Sequence, residues 1–252
     1  MTIVQKRCAA GNSQLFIRLR IGRNSSGFTL LEMSIVLLIM GLLLGSVMQP
    51  MGAGVIDRKR RQTLEQLIDI REALIGYASV HHRLPCPVGP AAVLNNANVQ
   101  TVDSECLMSH GYVPAAVLGI SGSYDSSGFL TDSWGIPIQY HVTLSDADDD
   151  GLSDFTTVQE MRDVGMRNLR PEYEVCNGAG CEQLRANRVP VVLLSTGRLQ
   201  GLSDDENENQ DSDSRFVSRD LDVVGTDQFD DIVIWLSGNI LYTRLLQAQV
   251  LP

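Results

Sequence analysis

The sequence has no motif that is typical of a catalytic site. It contains no G-x-S-x-G elbow, no P-loop, no G-x-G-x-x-G and no H-E-x-x-H, and only 4 of its 252 residues are histidine. His81 and His82 are adjacent, so on a helix they point about 100° apart and cannot share a metal ion. His110 and His141 each stand alone in the sequence. We therefore expect a protein that is not an enzyme.

Basic residues are outnumbered by acidic ones, with 20 Lys and Arg against 30 Asp and Glu, for a net charge of −10. The first 27 residues run against this trend, because they contain no Asp or Glu but five basic residues: Lys6, Arg7, Arg18, Arg20 and Arg23. Without those five the net charge is −15. A surface this acidic repels phosphates, so the main domain is not expected to bind nucleic acid.

One long apolar run follows the basic stretch. From Leu30 to Met48 almost every residue is apolar, which is about the ~20 residues that a helix needs to cross a bilayer. More basic residues precede this run than follow it at 58–61, and this favours a cytoplasmic N-terminus with an exported main domain. An ordinary secretory signal would be cleaved after its apolar run, whereas here Gly27 stands before it.

Glu32 is a carboxylate near the start of this run, where a charge costs on the order of 2.5–3.5 kcal/mol on insertion scales, so we expect a functional role for it. The segment Gly27-Phe28-Thr29-Leu30-Leu31-Glu32 resembles the class III signal motif of type IV prepilins and type II secretion pseudopilins. The resemblance implies that a prepilin peptidase cleaves between Gly27 and Phe28 and N-methylates Phe28. It also implies that Glu32 pairs with a terminal amine during filament assembly.

The same resemblance implies an α+β, pilin-like fold, in which a long N-terminal helix with a transmembrane first half packs on a small antiparallel β-sheet head domain. We expect a cleaved leader at 1–27, the helix at 28–83 with its transmembrane segment at about 30–48, and the head at 84–252. Pro85 and Pro87 mark the end of the helix.

The implied location is the bacterial inner membrane, crossed once, with the head in the periplasm, and afterwards a pilus or pseudopilus. The implied partners are prepilin peptidase, other pilin or pseudopilin subunits, the inner-membrane assembly platform and membrane lipid.

The periodicity of apolar residues predicts the elements of the main domain. Between Val55 and about His81 a helical spacing predicts a buried face: Leu64, Leu67, Ile68, Leu74, Ile75 and Ala78. Runs rich in β-branched residues predict strands at 137–144, 189–195 and 231–237. The last of these is expected to form a hairpin with 240–246 across Gly238-Asn239, although the spacing of 240–246 fits a helix equally well.

Four cysteines remain once Cys8 leaves with the leader: Cys86, Cys106, Cys176 and Cys181. An even number in an exported protein predicts two disulfides. Of the three pairings, Cys86–Cys106 and Cys176–Cys181 are favoured because each closes a local loop. A four-cysteine zinc site is the alternative, and the absence of a C-x2-C pair disfavours it.

An acidic loop carries most of the pattern of an EF-hand-like calcium loop. Carboxylates stand at loop positions 1, 3, 5 and 9: Asp146, Asp148, Asp150 and Asp154. Gly151 stands at position 6, and Thr157 replaces the usual glutamate at position 12. The loop is therefore a candidate calcium site, with a solvated acidic turn as the alternative.

Two further stretches extend the resemblance. The segment 132–140 is similar to the D-P-W-G-x-P-x-x-Y segment of major type II pseudopilins, with Ser133 in place of proline. Ser195-Thr196-Gly197, the acidic loop 204–213 and the segment 231–235 resemble that group's S-x-G, calcium loop and D-I-x-x-W. The resemblance implies a calcium site in loop 204–213, whereas its composition alone indicates a flexible polar loop. Trp134 and Trp235 are interpreted as core anchors.

Three functions are compatible with these patterns. The first is a minor pilin of a type IV pilus, which suits the length of the chain better than a major pseudopilin does. The second is a pseudopilin of a type II secretion system. The third is a membrane-anchored periplasmic enzyme or calcium-binding protein that never polymerises, and Glu32 argues against it because a simple anchor has no need of this carboxylate.

Overall fold

The computed structural model of the chain describes residues 27–89, 106, 108–199, 201, 203–225 and 227–251, with the backbone alone for residues 44–53. The predicted leader lies outside these residues, except for Gly27. The chain divides between Met51 and Gly52 into two compact units.

Helix α1 spans Leu30–His81 and contributes residues to both units. It ends at His81, whereas the predicted helix runs to 83, and His82 follows it in the left-handed conformation with φ of 57°. The His82 amide still donates to the carbonyl of Ala78, at 2.9 Å, which closes the last turn. None of the helices, over the residues that the structure describes, has the length and apolarity of a membrane span. The predicted span 30–48 includes residues whose side chains are not described, and it stays a prediction.

The elements of the second unit follow α1 in a mixed order. The short helices are α2 (Ala115–Leu118), α3 (Glu160–Val164), α4 (Asp204–Glu208) and α5 (Gly238–Gln247). The strands are β1 (His110–Tyr112), β2 (Ser123–Tyr124), β3 (Leu130–Thr131), β4 (Gln139–Val142), β5 (Tyr173–Cys176), β6 (Leu184–Val189), β7 (Val191–Ser195), β8 (Arg215–Val217) and β9 (Ile232–Leu236).

The largest sheet has the strand order β1-β4-β7-β9 and is antiparallel throughout. Its strands β4, β7 and β9 coincide with the three predicted runs. A second sheet has the order β6-β5-β8, with β5 and β8 parallel, and β2 pairs with β3. Helices together with antiparallel sheets confirm the α+β fold class.

The two faces of the large sheet enter two separate cores, because side chains alternate along a strand. On β7, Val191 and Leu193 pack in a cluster with α1, whereas Val192 and Leu194 pack in a cluster with Phe216 of β8. Trp134 packs against the first cluster and Trp235 against the second, so both act as the predicted anchors, although each is only partly buried.

The buried face of α1 differs from the predicted one by part of its stripe. Leu67, Leu74, Ile75 and Ala78 are buried as predicted, and so is Ile70, which was not on the predicted face. Leu64 and Ile68 remain 40% and 37% exposed, so their prediction was wrong.

The expected final hairpin is also wrong, because 240–246 lies in helix α5. The side chain of Ser237 accepts a hydrogen bond from the amide of Ile240, at 3.4 Å, and caps the helix. Leu241 and Leu245, one turn apart, are fully buried in the cluster that contains α1. Capping and packing together decide for the helix.

Candidate processing site and metal centres

Gly27 and Phe28 lie outside regular secondary structure, immediately before α1. The side chain of Phe28 is 72% exposed, and a Cβ added at Gly27 would meet no described atom within 4 Å. The peptide bond between them is therefore accessible within the described part of the chain, as a protease substrate requires.

Glu32 occupies the first turn of α1, where a carboxylate favours the helix dipole. Its amide donates to the Thr29 hydroxyl at 3.2 Å, so Thr29 caps the helix. The sequence T-x-x-E is that of a capping box. Thr29 and Glu32 thus have a structural part in starting the helix, in addition to any part in assembly.

The apolar side chains on both sides of Glu32 have little cover from the other described residues. Leu30, Leu37 and Leu42 are 89%, 70% and 68% exposed. Exposed apolar surface of this extent indicates a contact with lipid or with other protein.

The EF-hand-like loop is held by its own carboxylates. Asp146 accepts hydrogen bonds from the amides of Asp150 and Gly151, at 3.1 and 2.8 Å. Asp149 and Gly151 adopt positive φ angles of 59° and 89°, which make the tight turn between them. Asp154 is fully buried at the end of the loop and accepts from the amide of Ala147 at 3.3 Å.

The four predicted ligands do not form one group. Oxygens of Asp146, Asp148 and Asp154 lie within 4.8 Å of one another, whereas Asp150 forms a second such group with Asp148 and Glu160. Glu160 was missed because it lies outside the twelve-residue loop pattern. Burial, together with the charges of Asp148 and Asp146, raises the pKa of Asp154 to about 6, against the hydrogen bond from Ala147.

A further acidic group, apart from the EF-hand-like loop, is buried. Glu206 of α4 meets Asp230 and Asp231, which immediately precede β9, and oxygens of the three lie within 4.8 Å of one another. Their exposed fractions are 0%, 6% and 1%. We call this group the tricarboxylate cluster.

The carboxyl groups of the tricarboxylate cluster accept hydrogen bonds from described residues. Asp230 accepts from the amides of Arg198 and Leu199, at 2.9 and 3.0 Å, and its own amide donates to Glu206 at 3.1 Å. Asp231 Oδ2 accepts from the Asn209 amide group at 2.8 Å.

Asp231 Oδ1 is buried and has no hydrogen-bond partner among the described residues. Burial, together with the charges of Glu206 and Asp230, raises the pKa of Asp231 to about 8, against the hydrogen bond from Asn209. Carboxylate oxygens are the ligands that a hard cation such as Ca²⁺ prefers, and one oxygen of this cluster has no hydrogen-bond partner among the described residues. The three residues therefore fit a metal ion.

The interpretation of 204–213 as a flexible loop was wrong for its first half. Residues 204–208 form α4, and the Ser203 hydroxyl caps it by accepting from the Glu206 amide. Asn209 is fully buried and exchanges hydrogen bonds with the main chain of Val217, at 2.7 and 3.0 Å. The S-x-x-E pattern of Ser203 and Glu206 is a capping-box signal that could have identified this helix.

Asp132 links two of the stretches that carry the resemblance. Its Oδ2 accepts from the Ser195 hydroxyl at 2.6 Å, and its Oδ1 accepts from the amides of Trp134 and Ile136 at 2.8 and 2.9 Å. Gly135 has a φ of 84°, which this turn requires. The D-x-W-G turn therefore has a structural role in joining β7 to the segment before β4.

The four remaining cysteines form two pairs, Cys86 with Cys106 and Cys176 with Cys181, with Cα atoms 5.3 and 5.0 Å apart. These are the two pairings that the sequence favoured, and they leave no thiolate of the four for a zinc site.

His110 and His141 are not isolated from each other, contrary to the expectation. They are partners in the pairing of β1 with β4, and their ring centroids lie 4.8 Å apart. His110 contacts the Ser109 hydroxyl and, at 3.1 Å, the carbonyl of Asp213 rather than a carboxylate. The Ser109–His110 pair therefore does not complete a triad.

Comparison with known proteins finds a match in the N-terminal part of the chain. The model of the prokaryotic N-terminal methylation motif matches residues 22–48, the segment that contains Gly27, Phe28 and Glu32. No curated protein and no solved structure matches the chain. The match implies processing by prepilin peptidase and assembly with other pilin subunits.

Proposed function

The N-terminal methylation motif supports the assignment of this chain to the type IV pilin and pseudopilin family, and on that premise we propose that it is a minor-pilin-like structural subunit of a type IV pilus. Prepilin peptidase cleaves it between Gly27 and Phe28 and methylates the amine of Phe28. The mature chain has a structural role and no catalytic one.

The observation that carries this proposal is the position of Glu32 within an apolar helical segment. It lies four residues after the new terminus, among apolar side chains that the described residues leave largely exposed. A carboxylate in such surroundings needs a cationic partner. The methylated amine of a neighbouring subunit would supply it, so that each added subunit is held in register by one ion pair.

Residues 30–48 would hold the subunit in the bacterial inner membrane before assembly, with the head in the periplasm. Lipid then covers the exposed apolar side chains, and neighbouring subunits replace the lipid in the fibre. Leu64 and Ile68, which the head leaves exposed, extend the apolar surface that other subunits can cover. The inner-membrane assembly platform would receive the subunit at this stage.

A pseudopilin of a type II secretion system is the second candidate. The observation that favours it is the D-x-W-G turn, in which Asp132 binds Ser195 of the S-x-G segment. This contact joins two of the stretches that resemble major pseudopilins.

We also propose that the head binds calcium. The buried tricarboxylate cluster of Glu206, Asp230 and Asp231 would hold one ion, and the loop carboxylates Asp146, Asp148 and Asp154 would hold another. Asp150 lies with Asp148 and Glu160 at the edge of the loop site. A bound ion would neutralise like charges in each group and thereby stabilise the loops that carry them.

Glu32→Gln tests the assembly role, because it removes the charge and keeps the shape. Mass spectrometry should find the variant cleaved before Phe28, whereas electron microscopy and fractionation should find it absent from fibres. Ser34→Ala, two residues further along α1, is the matched control and should assemble as the wild type does. Normal incorporation of Glu32→Gln into fibres would contradict the proposed ion pair.

Deletion of the gene separates the two kinds of fibre. Loss of surface fibres with an unchanged profile of secreted proteins supports the minor-pilin function. Intact surface fibres with a defective secreted profile would contradict that function and support the pseudopilin.

A further inference from the structure

Arg60 connects helix α1 to the tricarboxylate cluster. Its Nη1 donates to the main-chain carbonyl of Asp230 at 3.1 Å, in a partly buried position. The same Asp230 contributes its carboxylate to the cluster. One cationic side chain from α1 therefore holds the backbone of a candidate metal ligand.

The positive charge of Arg60 is opposite in sign to the charge of the cluster's carboxylates and interacts with it. Burial lowers its pKa, and the carboxylates of Asp230, Asp220, Asp231 and Asp57 act in the opposite direction by favouring its charged form. Arg60 in turn favours the ionised form of Asp231. From the loop before α4, Arg198 acts in the same sense on Asp230.

We propose that Arg60 is a tethered counter-cation of the tricarboxylate cluster, so that calcium binding there and the seating of α1 on the head are coupled. This inference rests on the proposed calcium site. In the absence of calcium, Arg60 offsets part of the negative charge of the cluster and, through its hydrogen bond to the carbonyl of Asp230, holds the segment 55–62 of α1 against the head.

A bound calcium ion takes over that neutralisation and repels the guanidinium. Calcium then weakens the hold of Arg60 on Asp230, and by linkage a seated Arg60 weakens calcium binding by the same factor. Whether calcium is bound to the head would in this way determine how firmly the segment 55–62 of α1 is held against it.

The test uses the full mature chain in detergent micelles, with Asp154→Asn in every sample so that the loop site loses a ligand. Calcium affinity is measured by titration calorimetry for the Arg60 wild type, Arg60→Gln and Arg60→Lys. Arg61→Gln is the matched control, because Arg61 is exposed on the same helix and pairs with Asp57 instead.

We expect Arg60→Gln to bind calcium roughly 3- to 10-fold more tightly than the wild type, because one nearby like charge is removed. Arg60→Lys and Arg61→Gln should keep the wild-type affinity. In hydrogen exchange, calcium should speed the amides of residues 55–62 in the wild type and leave Arg60→Gln unchanged.

If the wild type binds calcium and Arg60→Gln binds it equally or more weakly, the coupling is wrong, whereas the proposed metal site is not contradicted. If calcium binds neither the wild type nor Arg60→Gln, or binds Asp231→Asn as tightly as the wild type, the proposed metal centre is itself wrong and the coupling with it. Should Arg60→Gln fail to fold, Arg60→Lys still tests the inference. This variant keeps the positive charge, so a calcium affinity higher than that of the wild type would contradict the proposal.

Discussion

Lowering the pH from 7 to 5 should destabilise the head through one buried imidazole, that of His141. Its residue is 3% exposed, its Nδ1 has no hydrogen-bond partner among the described residues, and its Nε2 lies 3.2 Å from Gln139 Oε1. The imidazole is buried between β4 and the second sheet, where its ring centroid lies 4.9 Å from that of Phe216. This burial is the main cause that lowers the pKa of His141 to about 3. The charge of His110 contributes to this lowering of the pKa.

The sign follows from proton binding. An unfolded chain has a histidine pKa of about 6.5, so between pH 6.5 and about 3 it binds a proton that the folded head does not. The stability that neutral His141 permits is fully present above pH 6.5 and is lost as the pH falls. At pH 5, about 1.5 pH units below the unfolded value, the loss is about 2 kcal/mol.

Two buried carboxyl groups act in the opposite direction over this range. The pKa of Asp154 is raised to about 6 and that of Asp231 to about 8, so the folded head retains protons that the unfolded chain releases, and these groups stabilise it as the pH falls. The total pH dependence therefore does not isolate His141. A comparison of the wild type with His141→Leu does, because both chains keep the carboxyl groups.

The assay is urea unfolding of the mature chain in detergent with EGTA, followed by the fluorescence of the partly buried Trp134 and Trp235. The stability of the wild type relative to His141→Leu should fall by about 2 kcal/mol between pH 7 and pH 5. His81→Gln, at the exposed end of α1, should track the wild type at both values. An identical difference between wild type and His141→Leu at the two pH values would refute the reasoning.

Three further predictions concern processing, calcium and packing. Gly27→Leu should block cleavage, because a bulky side chain hinders the close approach of a protease, and an immunoblot should show the unprocessed chain alone; a fully mature product would contradict the role of Gly27. Asp154→Asn should reduce the rise in melting temperature that calcium causes, whereas Asp149→Asn should not, because Asn tolerates the positive φ and Asp149 lies outside the carboxylate groups; equal calcium shifts in both variants would argue against the loop site. Phe216→Ala should cost about 3–5 kcal/mol of stability by opening a cavity between the two sheets, and a cost near zero in urea unfolding would contradict that packing.

The parts of this protein that the sequence predicted well are those whose partners are close along the chain. The segment from Gly27 to Glu32 needs only six consecutive residues to be recognised, and the loops closed by Cys86–Cys106 and Cys176–Cys181 are local as well. Strands β4, β7 and β9 were predicted because their β-branched runs are continuous and bounded by turns.

Errors arose where two local patterns competed. Residues 240–246 fit a strand or a helix by composition, and the cap at Ser237 together with burial of Leu241 and Leu245 made them a helix. Residues 204–213 have the composition of a solvated loop, yet burial of Asn209 against Val217 holds their first half in place.

The sequence by itself determined the N-terminal methylation motif, the apolar helical segment and the acidic, disulfide-bonded character of the head, because each depends on residues that are close along the chain. Only the tertiary structure decided which carboxylates meet. Glu206 meets Asp230 across 24 residues, His110 meets His141 through strand register, and Arg60 reaches Asp230 across 170. No local pattern encodes such contacts, since they depend on how α1, α4 and the sheets pack together, and packing is set by the whole core at once.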